Sequence, residues 1–218
     1  TELAWEYAVK QGIPRAFFIN KFDDPEADYG RVFAQLRETF GIRVCPTLVP
    51  VDQGVQKAFV NLAERMAYTF DATGKRTETP MNSEIQAVID QYIQQFNEAI
   101  AETSDELMEK FFNEEEITRD EAVEALHEGI ISGSIVPVYS GSAVNLWGVR
   151  ALMSAIKDSF PRMTAKKVEK ISGDSGLADI EIDPEGPCAL FVFKTVADQF
   201  GKMSMFKVMS GTLKRDTV

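Results

Sequence analysis

The sequence has 218 residues, of which 44% are apolar and 26% charged, and its formal net charge at pH 7 is −11. This length allows one or two domains with a hydrophobic core, and no apolar run approaches the roughly 18 to 20 residues that span a bilayer, so no membrane partner is expected. The negative net charge argues against extensive binding to the phosphate backbone of a nucleic acid, and we predict no direct, sequence-specific contact with nucleic acid.

The opening of the chain alternates between helix and strand patterns. Residues 2–10 carry an apolar stripe at helical spacing, and Gly12 follows just beyond them. Residues 15–19 predict a short buried strand, residues 28–40 a second helix, and residues 44–51 another strand. This αβαβ order is typical of a parallel sheet covered by helices.

The next stretch is ambiguous. Residues 55–67 place apolar side chains at helical spacing, but the following residues resemble a hairpin with a turn at Asp71 to Gly74. Three helices are then predicted. The first opens with a capping-box pattern at Ser83; the second opens at Ser104, and the third opens with a capping box at Thr118.

The third of these helices is expected to stop near Gly129. Residues 135–139 predict a further strand, which is followed by the loop "SGSA" and a helix that ends at Pro161. Residues 162–186 lack periodicity and are predicted to be a linker. From residue 187, three β-runs, "CALFVFKTVA", "KMSMFKVMSG" and "TLKRDTV", predict an all-β unit. The expected core of this unit is apolar, and its members are Phe191, Phe193, Phe200, Met203, Met205 and Phe206.

A polar cluster, Asn20-Lys21-Phe22-Asp23, follows the first predicted strand, at the strand end where open α/β sheets bind ligands. The Asp23 carboxylate can accept two hydrogen bonds side by side, which matches the ring N–H and the amino group of guanine. Adenine lacks this pair of donors and would leave the carboxylate desolvated and unpaired. The Lys21 stem can lie along a flat base, and Asn20 can bind both the base and a neighbouring loop.

Ser142 and Ala143 follow a later predicted strand in the same way. A small residue there allows a backbone N–H to approach the carbonyl oxygen of guanine. An N-K-x-D string alone also fits a turn with a solvated lysine, and "GSA" alone is nearly uninformative. The order of the two motifs, each after a strand, is what favours a guanine site; a plain α/β fold with a chance match stays an alternative.

These motifs and their flanks resemble the elongation factor G family of ribosomal translocase GTPases. The resemblance is carried by "QGIPRAFFINKFDDPEADYGRV", "SDELMEKFF", "EEITRDEAVEALHEG", "SIVPVYSGSAVNLWGVRALMSAIKDSFP" and "CALFVFKTVADQFGKMSMFKVMSGTL". It implies an α/β fold in which residues 1–161 form the C-terminal half of a P-loop-type GTPase domain. An α+β insertion would occupy about 52–132, and residues 187–218 would begin an incomplete β-barrel. It also favours β-hairpins over 59–79.

The resemblance further implies GTP or GDP as ligand, with Asn20, Lys21, Asp23, Ser142 and Ala143 as nucleotide-binding residues. The implied role is ribosomal translocation during protein synthesis in the cytoplasm, with the insertion contacting the ribosomal stalk protein. A tetracycline ribosomal-protection-type GTPase and a non-enzymatic ribosome-docking module stay open as alternatives.

The sequence contains no GxxxxGK[ST] phosphate loop. Asp71-Ala72-Thr73-Gly74 has the letters of DxxG, but in the family that motif precedes NKxD. We therefore expect a fragment that is inactive by itself, with Mg²⁺ bound only in the intact parent. We also expect the fragment to bind GTP no tighter than roughly millimolar. Two hydrogen bonds from a carboxylate to guanine contribute about 1.5 to 3 kcal/mol each, and association costs about 4 to 15 kcal/mol, so the two nearly cancel.

Two further expectations concern surfaces and thiols. An incomplete barrel exposes an unpaired strand edge, so a dimer through that edge is a hypothesis. Cys45 and Cys188 lie far apart and form no CxxC pattern, which argues against a disulfide framework or a zinc cluster. Two free thiols are typical of a cytoplasmic protein.

Overall fold

The chain folds into two units, Thr1–Pro161 and Arg162–Val218. The structure, a computed structural model, describes residues 1–51, 58–71, 73–160, 168–173, 176–199 and 201–215. The first unit mixes helices and strands, and the described part of the second unit contains strands and turns.

Helices and strands of the first unit follow the predicted order. Its described helices are α1 (Glu2–Lys10), α2 (Tyr29–Phe40), α3 (Ser83–Ala101), α4 (Asp105–Phe112), α5 (Arg119–Ser132) and α6 (Val149–Ser159). Its described strands are β1 (Phe17–Ile19), β2 (Val44–Pro46), β3 (Leu48–Val51), β4 (Ala58–Asn61), β5 (Met66–Phe70), β6 (Arg76–Thr79) and β7 (Val136–Ser140). None of the described helices is long and apolar enough to cross a membrane.

A parallel sheet with the order β1-β7-β2 lies at the centre of the first unit. The last residue of β1, Ile19, pairs with the last residue of β7, Ser140. The two strands therefore end at the same edge of the sheet. Every residue of β7 is buried, as expected for the middle strand of a parallel sheet. The predicted parallel sheet is confirmed.

The stretch 44–51, predicted as one strand, is two strands in different sheets. Thr47 lies between β2 and β3 and is buried. Its backbone N–H donates to Val138 of the parallel sheet at 3.0 Å, and its carbonyl accepts from the Leu62 N–H at 3.0 Å. Thr47 thus joins the two sheets through backbone hydrogen bonds.

Residues 48–133, called the inserted segment below, lie between β2 and β7. In it, β3, β4, β5 and β6 form an antiparallel sheet in chain order, and α3, α4 and α5 follow. The hairpins predicted over 59–79 are confirmed, and the helical alternative is wrong for the described part of 55–67. The predicted insertion over about 52–132 stays a prediction.

One hydrophobic core joins the inserted segment to the parallel sheet. Phe59 of β4 and Phe96 of α3 are the largest of its fully buried side chains, and Val44 of β2 belongs to the same cluster. Burying a side chain of this size contributes about 1.5 to 3 kcal/mol. The inserted segment is therefore packed into the unit, with no flexible tether between it and the sheet.

Two helix ends differ from the predictions. Asn82, one residue before the predicted Ser83, caps α3, because its side chain accepts the N–H of Ile85 at 2.9 Å. α5 continues past Gly129 and ends at Gly133, which has a φ of 77°. Gly129 lies inside the helix, and a Cβ there would be 2.5 Å from the Ile135 side chain, so close packing explains why this residue is glycine. Ser104 caps α4 through one side-chain hydrogen bond, which it accepts from the Leu107 N–H. Thr118 and Glu121 form a capping box at the start of α5, in which each side chain accepts the backbone N–H of the other residue.

The described part of the second unit consists of two antiparallel hairpins. They are β8 (Val168–Gly173) with β9 (Gly176–Glu181), and β10 (Ala189–Asp198) with β11 (Gly201–Ser210). The linker prediction for 162–186 is wrong over the first hairpin, whose Gly, Asp and Ser content hid the strand pattern. The first two β-runs predicted after residue 187 are confirmed. The third is wrong in its described part, because residues 211–215 form no strand.

The predicted apolar core of the second unit is largely exposed. In the described residues, β10 and β11 pair only with each other, so no further strand covers them there. The exposed fractions are 58% for Phe191, 59% for Phe193, 64% for Met203, 39% for Met205 and 42% for Phe206. Phe200 lies outside the described residues.

Candidate functional site

The five predicted site residues lie in two loops that meet at the carboxyl edge of the parallel sheet. The first loop follows β1 and the second follows β7. The Gly141 N–H donates to the Ile19 carbonyl at 3.0 Å, and the Phe22 N–H donates to the Gly141 carbonyl at 3.1 Å. These backbone bonds continue the strand pairing, so the two loops are held side by side.

Asp23 and Ser142 are in direct contact. The buried Ser142 hydroxyl donates to Asp23 Oδ1 at 2.5 Å and accepts the N–H of Asn145 at 3.1 Å. Hydrogen bonds to charged groups contribute about 1.5 to 3 kcal/mol. Ser142 therefore fixes the orientation of the Asp23 carboxylate, which is itself exposed.

Asn20 and Ala143 form the second bond between the loops. The Ala143 N–H donates to Asn20 Oδ1 at 2.9 Å. The loop-to-loop bond expected of Asn20 is thus present, and its donor is the same N–H that the sequence assigned to a guanine carbonyl. A base carbonyl at this place would have to share that N–H with Asn20 or displace the Asn20 oxygen.

Lys21 and Phe22 shape the first loop from opposite sides. Lys21 is exposed and has a φ of 70°, a left-handed conformation that is uncommon outside glycine. Phe22 is buried, and its ring packs edge-on against Phe59 of β4, with 6.4 Å between ring centroids. Phe22 therefore anchors the loop to the inserted segment while the neighbouring polar side chains face outward.

Two glycines close the second loop. The Ser142 N–H donates to the Trp147 carbonyl at 3.0 Å. A Cβ on Gly141 would be 2.0 Å from the Trp147 oxygen, and a Cβ on Gly148 would be 2.3 Å from the Ser140 oxygen. Only glycine fits at either position without moving the backbone. Leu146, in the same loop, has a φ of 58°.

Sequence reasoning missed the roles of Phe22, Gly141 and Gly148. A signal existed for each. An apolar residue between Lys21 and Asp23 indicates an anchor, and glycines at both ends of "GSAVNLWG" indicate a tightly closed loop.

The Asp71–Gly74 stretch lies in the turn between β5 and β6, as predicted, and Ala72 is outside the described residues. Asp71 Oδ1 accepts hydrogen bonds from the Thr73 hydroxyl and from the N–H groups of Thr73 and Lys75. These bonds lower the pKa of Asp71, with the Thr73 hydroxyl contributing most. The Asp71 carboxylate therefore stabilises the turn through these hydrogen bonds. Among the described residues, no group of three His, Cys, Asp or Glu side chains could hold a metal ion.

Over residues 1–162 the sequence matches the family described as "Elongation factor Tu GTP binding domain". The chain belongs to this family. Membership implies guanine-nucleotide binding and confirms the prediction of a translational GTPase domain. A crystal structure of a protein from Thermus thermophilus is similar, with a TM-score of 0.67 and 27% sequence identity. The match covers 98% of this chain and 30% of that chain, so this chain spans under a third of that relative.

Proposed function

We propose that the two loops of this GTP-binding domain recognise the guanine base of GTP or GDP. The observation that carries this is the pair of bonds between them, Ser142 to Asp23 at 2.5 Å and Ala143 to Asn20 at 2.9 Å. These bonds bring an acceptor and a donor from distant parts of the chain to one edge of the sheet, where α/β folds bind ligands.

Each site residue has a separate task. Asp23 accepts the ring N–H and amino group of guanine, and Ser142 keeps that carboxylate oriented. Lys21, which is exposed, would lie along the face of the base. Asn20 holds the loops together, and the Ala143 N–H lies where it can be shared with the carbonyl of the base. Adenine would leave Asp23 unpaired, which is why discrimination is expected to be strong.

We further propose that the parent protein hydrolyses GTP in the cytoplasm and promotes ribosomal translocation. This sequence has no GxxxxGK[ST] motif, so we assign it base recognition and no part in binding phosphate or Mg²⁺. By itself, the chain is expected to bind GDP no tighter than roughly millimolar, because base contacts alone barely offset the cost of association.

The inserted segment is the proposed contact with the ribosomal stalk protein. A cleft of about 480 Å³ lies between α3 and α4. Its lining is partly apolar and partly polar and consists of Ile93, Gln94, Asn97, Phe111, Phe112, Glu114, Glu115 and Ile117. Phe112 is 75% exposed. A cleft with a mixed apolar and polar lining and two carboxylates suits a helix that carries apolar and basic side chains. Loss of stalk-protein binding on Phe112→Ala, measured by titration, supports this contact, and unchanged binding refutes it.

A dimer through the exposed β10 and β11 hairpin is a separate proposal. Among the described residues β10 and β11 pair only with each other, so backbone N–H and C=O groups on their outer edges can pair with a second copy. Light scattering on the chain tests it, and a clean monomer at high concentration refutes it.

Calorimetric titration of the full-length protein with GDP and with ADP tests base recognition. We expect GDP to bind at least about 100-fold more tightly than ADP, because two charged hydrogen bonds distinguish the bases. Equal affinity for the two nucleotides would refute the assignment.

A further inference from the structure

A turn of the inserted segment touches the second loop of the site. Gly74 lies in the turn between β5 and β6 and has a φ of 72°. A Cβ placed on it would be 2.6 Å from the Leu146 carbonyl oxygen and 2.7 Å from the Leu146 Cβ. The two backbones therefore meet without a side chain of Gly74 between them.

The turn that carries Gly74 is internally bonded. Asp71 Oδ1 accepts the N–H of Thr73 at 2.8 Å and the N–H of Lys75 at 3.0 Å. The Gly74 N–H donates to the Asp71 carbonyl at 2.9 Å. With these bonds, and with β5 and β6 paired on either side, the turn is a firm surface for Leu146.

Leu146 is the residue of the second loop that contacts this turn. Its φ of 58° is a left-handed conformation that a bulky side chain adopts only when its surroundings hold it there. The loop around it is closed by the Ser142 N–H to Trp147 bond. A shift of Leu146 must therefore move Ser142 and Ala143, which are joined to Asp23 and Asn20.

We propose that Gly74 is a positioning residue for base recognition: the turn of the inserted segment holds Leu146 and so sets the place of Ser142 and Ala143. This inference rests on the proposed function for its effect on nucleotide. The positioning itself does not depend on nucleotide. The inserted segment, which contains none of the predicted site residues, then takes part in choosing the base.

The decisive variant is Gly74→Ala in the full-length protein, with Gly12→Ala as its matched control. Gly12 has a similar φ of 62°, but nothing lies within 4 Å of a Cβ placed on it. Both substitutions place an alanine at a positive φ, and of the two only Gly74→Ala collides with Leu146. Circular dichroism shows whether each variant is folded.

The first readout is hydrogen exchange at the Ala143 amide, without nucleotide. We expect exchange to be faster by about tenfold in Gly74→Ala and unchanged in Gly12→Ala, since a displaced loop loses the Asn20 bond. The second readout is the GDP to ADP affinity ratio, which should fall by about tenfold in Gly74→Ala alone.

A second variant keeps the test sharp if Gly74→Ala is unstable. Leu146→Gly as a single variant removes the Leu146 Cβ that lies against the Gly74 backbone and introduces no collision, so it should also raise the exchange rate of the Ala143 amide. Wild-type exchange at Ala143 in Gly74→Ala, or equal effects of Gly74→Ala and Gly12→Ala, overturns the positioning role. Absence of GDP preference in the wild type would instead overturn the proposed function and leave the exchange result to stand alone.

Discussion

The Ser142 hydroxyl donates a hydrogen bond to the Asp23 carboxylate across 119 residues of sequence. The serine is buried and the aspartate is exposed. The carboxylate that would read the base is thus held by a group that solvent does not reach. The proposed base recognition therefore depends on both loops, since the hydroxyl that donates to Asp23 comes from the loop after β7.

Ser142→Ala should weaken GDP binding by about 10-fold to 100-fold, which corresponds to the 1.5 to 3 kcal/mol of a hydrogen bond to a charged group. ADP binding should change little, because adenine makes no paired contact with Asp23. Calorimetry on the full-length protein measures both affinities.

Ser140→Ala is the matched control for that variant. Ser140 is also fully buried, and its hydroxyl donates to the Leu48 carbonyl at 2.6 Å. Both variants should lose similar thermal stability, but Ser140→Ala should keep the GDP to ADP ratio of the wild type. Equal losses of GDP affinity in the two variants would contradict a specific role for Ser142.

The convergence of the two loops could be predicted from sequence because parallel strands place their carboxyl ends at one edge. The pattern of residues 15–23 and 135–143 is enough to predict that the loops after β1 and β7 meet, as the Ser142–Asp23 and Ala143–Asn20 bonds show. The partner of each side chain could not be predicted. Whether the Ala143 N–H faces the base or Asn20 depends on loop geometry, and Leu146 at a φ of 58° has no signature in sequence.

The misses in the fold have local causes. Gly129 looked like a helix stop, but close packing on Ile135 explains a glycine there. The stretch 168–181 looked like a linker because its short strands carry Gly, Asp and Ser. Pairing between strands, which composition does not reveal, decides such segments.

The two cysteines should differ sharply in reactivity. Cys45 is fully buried, and burial raises the pKa of its thiol from 9.0 to about 12, whereas Cys188 is exposed. A maleimide at neutral pH should therefore label Cys188 alone in the native protein and both thiols in denaturant, as counted by mass spectrometry. Labelling of native Cys45 at the rate of Cys188 would contradict the buried position.

The same thiol should make stability depend on pH. The unfolded thiol ionises near 9.0 and the native thiol near 12, so its contribution is complete below pH 9 and is lost as the pH rises toward 12. The free energy of unfolding should fall less steeply over this range in Cys45→Ala than in the wild type. Parallel pH profiles in denaturant titrations would contradict this.

Ser210 should stabilise the second unit. It is buried, accepts the Asp183 N–H at 3.0 Å, and lies 3.1 Å from the carbonyl oxygens of Glu181 and Asp183. Ser210→Ala leaves the Asp183 N–H without this acceptor, so this amide should exchange faster. The free energy of opening at Asp183, measured by hydrogen exchange, should fall by about 1 to 3 kcal/mol. Ser204→Ala is the control, because Ser204 is exposed on the same strand and should leave Asp183 unchanged.

The most direct test of guanine recognition is Asp23→Asn in the full-length protein, with GDP and xanthosine diphosphate as ligands. Xanthine carries a carbonyl in place of the guanine amino group, so an amide at position 23 should exchange the preference from GDP to the xanthine nucleotide. Asp24→Asn, which changes the neighbouring exposed carboxylate, should keep the wild-type preference. An Asp23→Asn protein that still prefers GDP as strongly as the wild type would contradict the central claim.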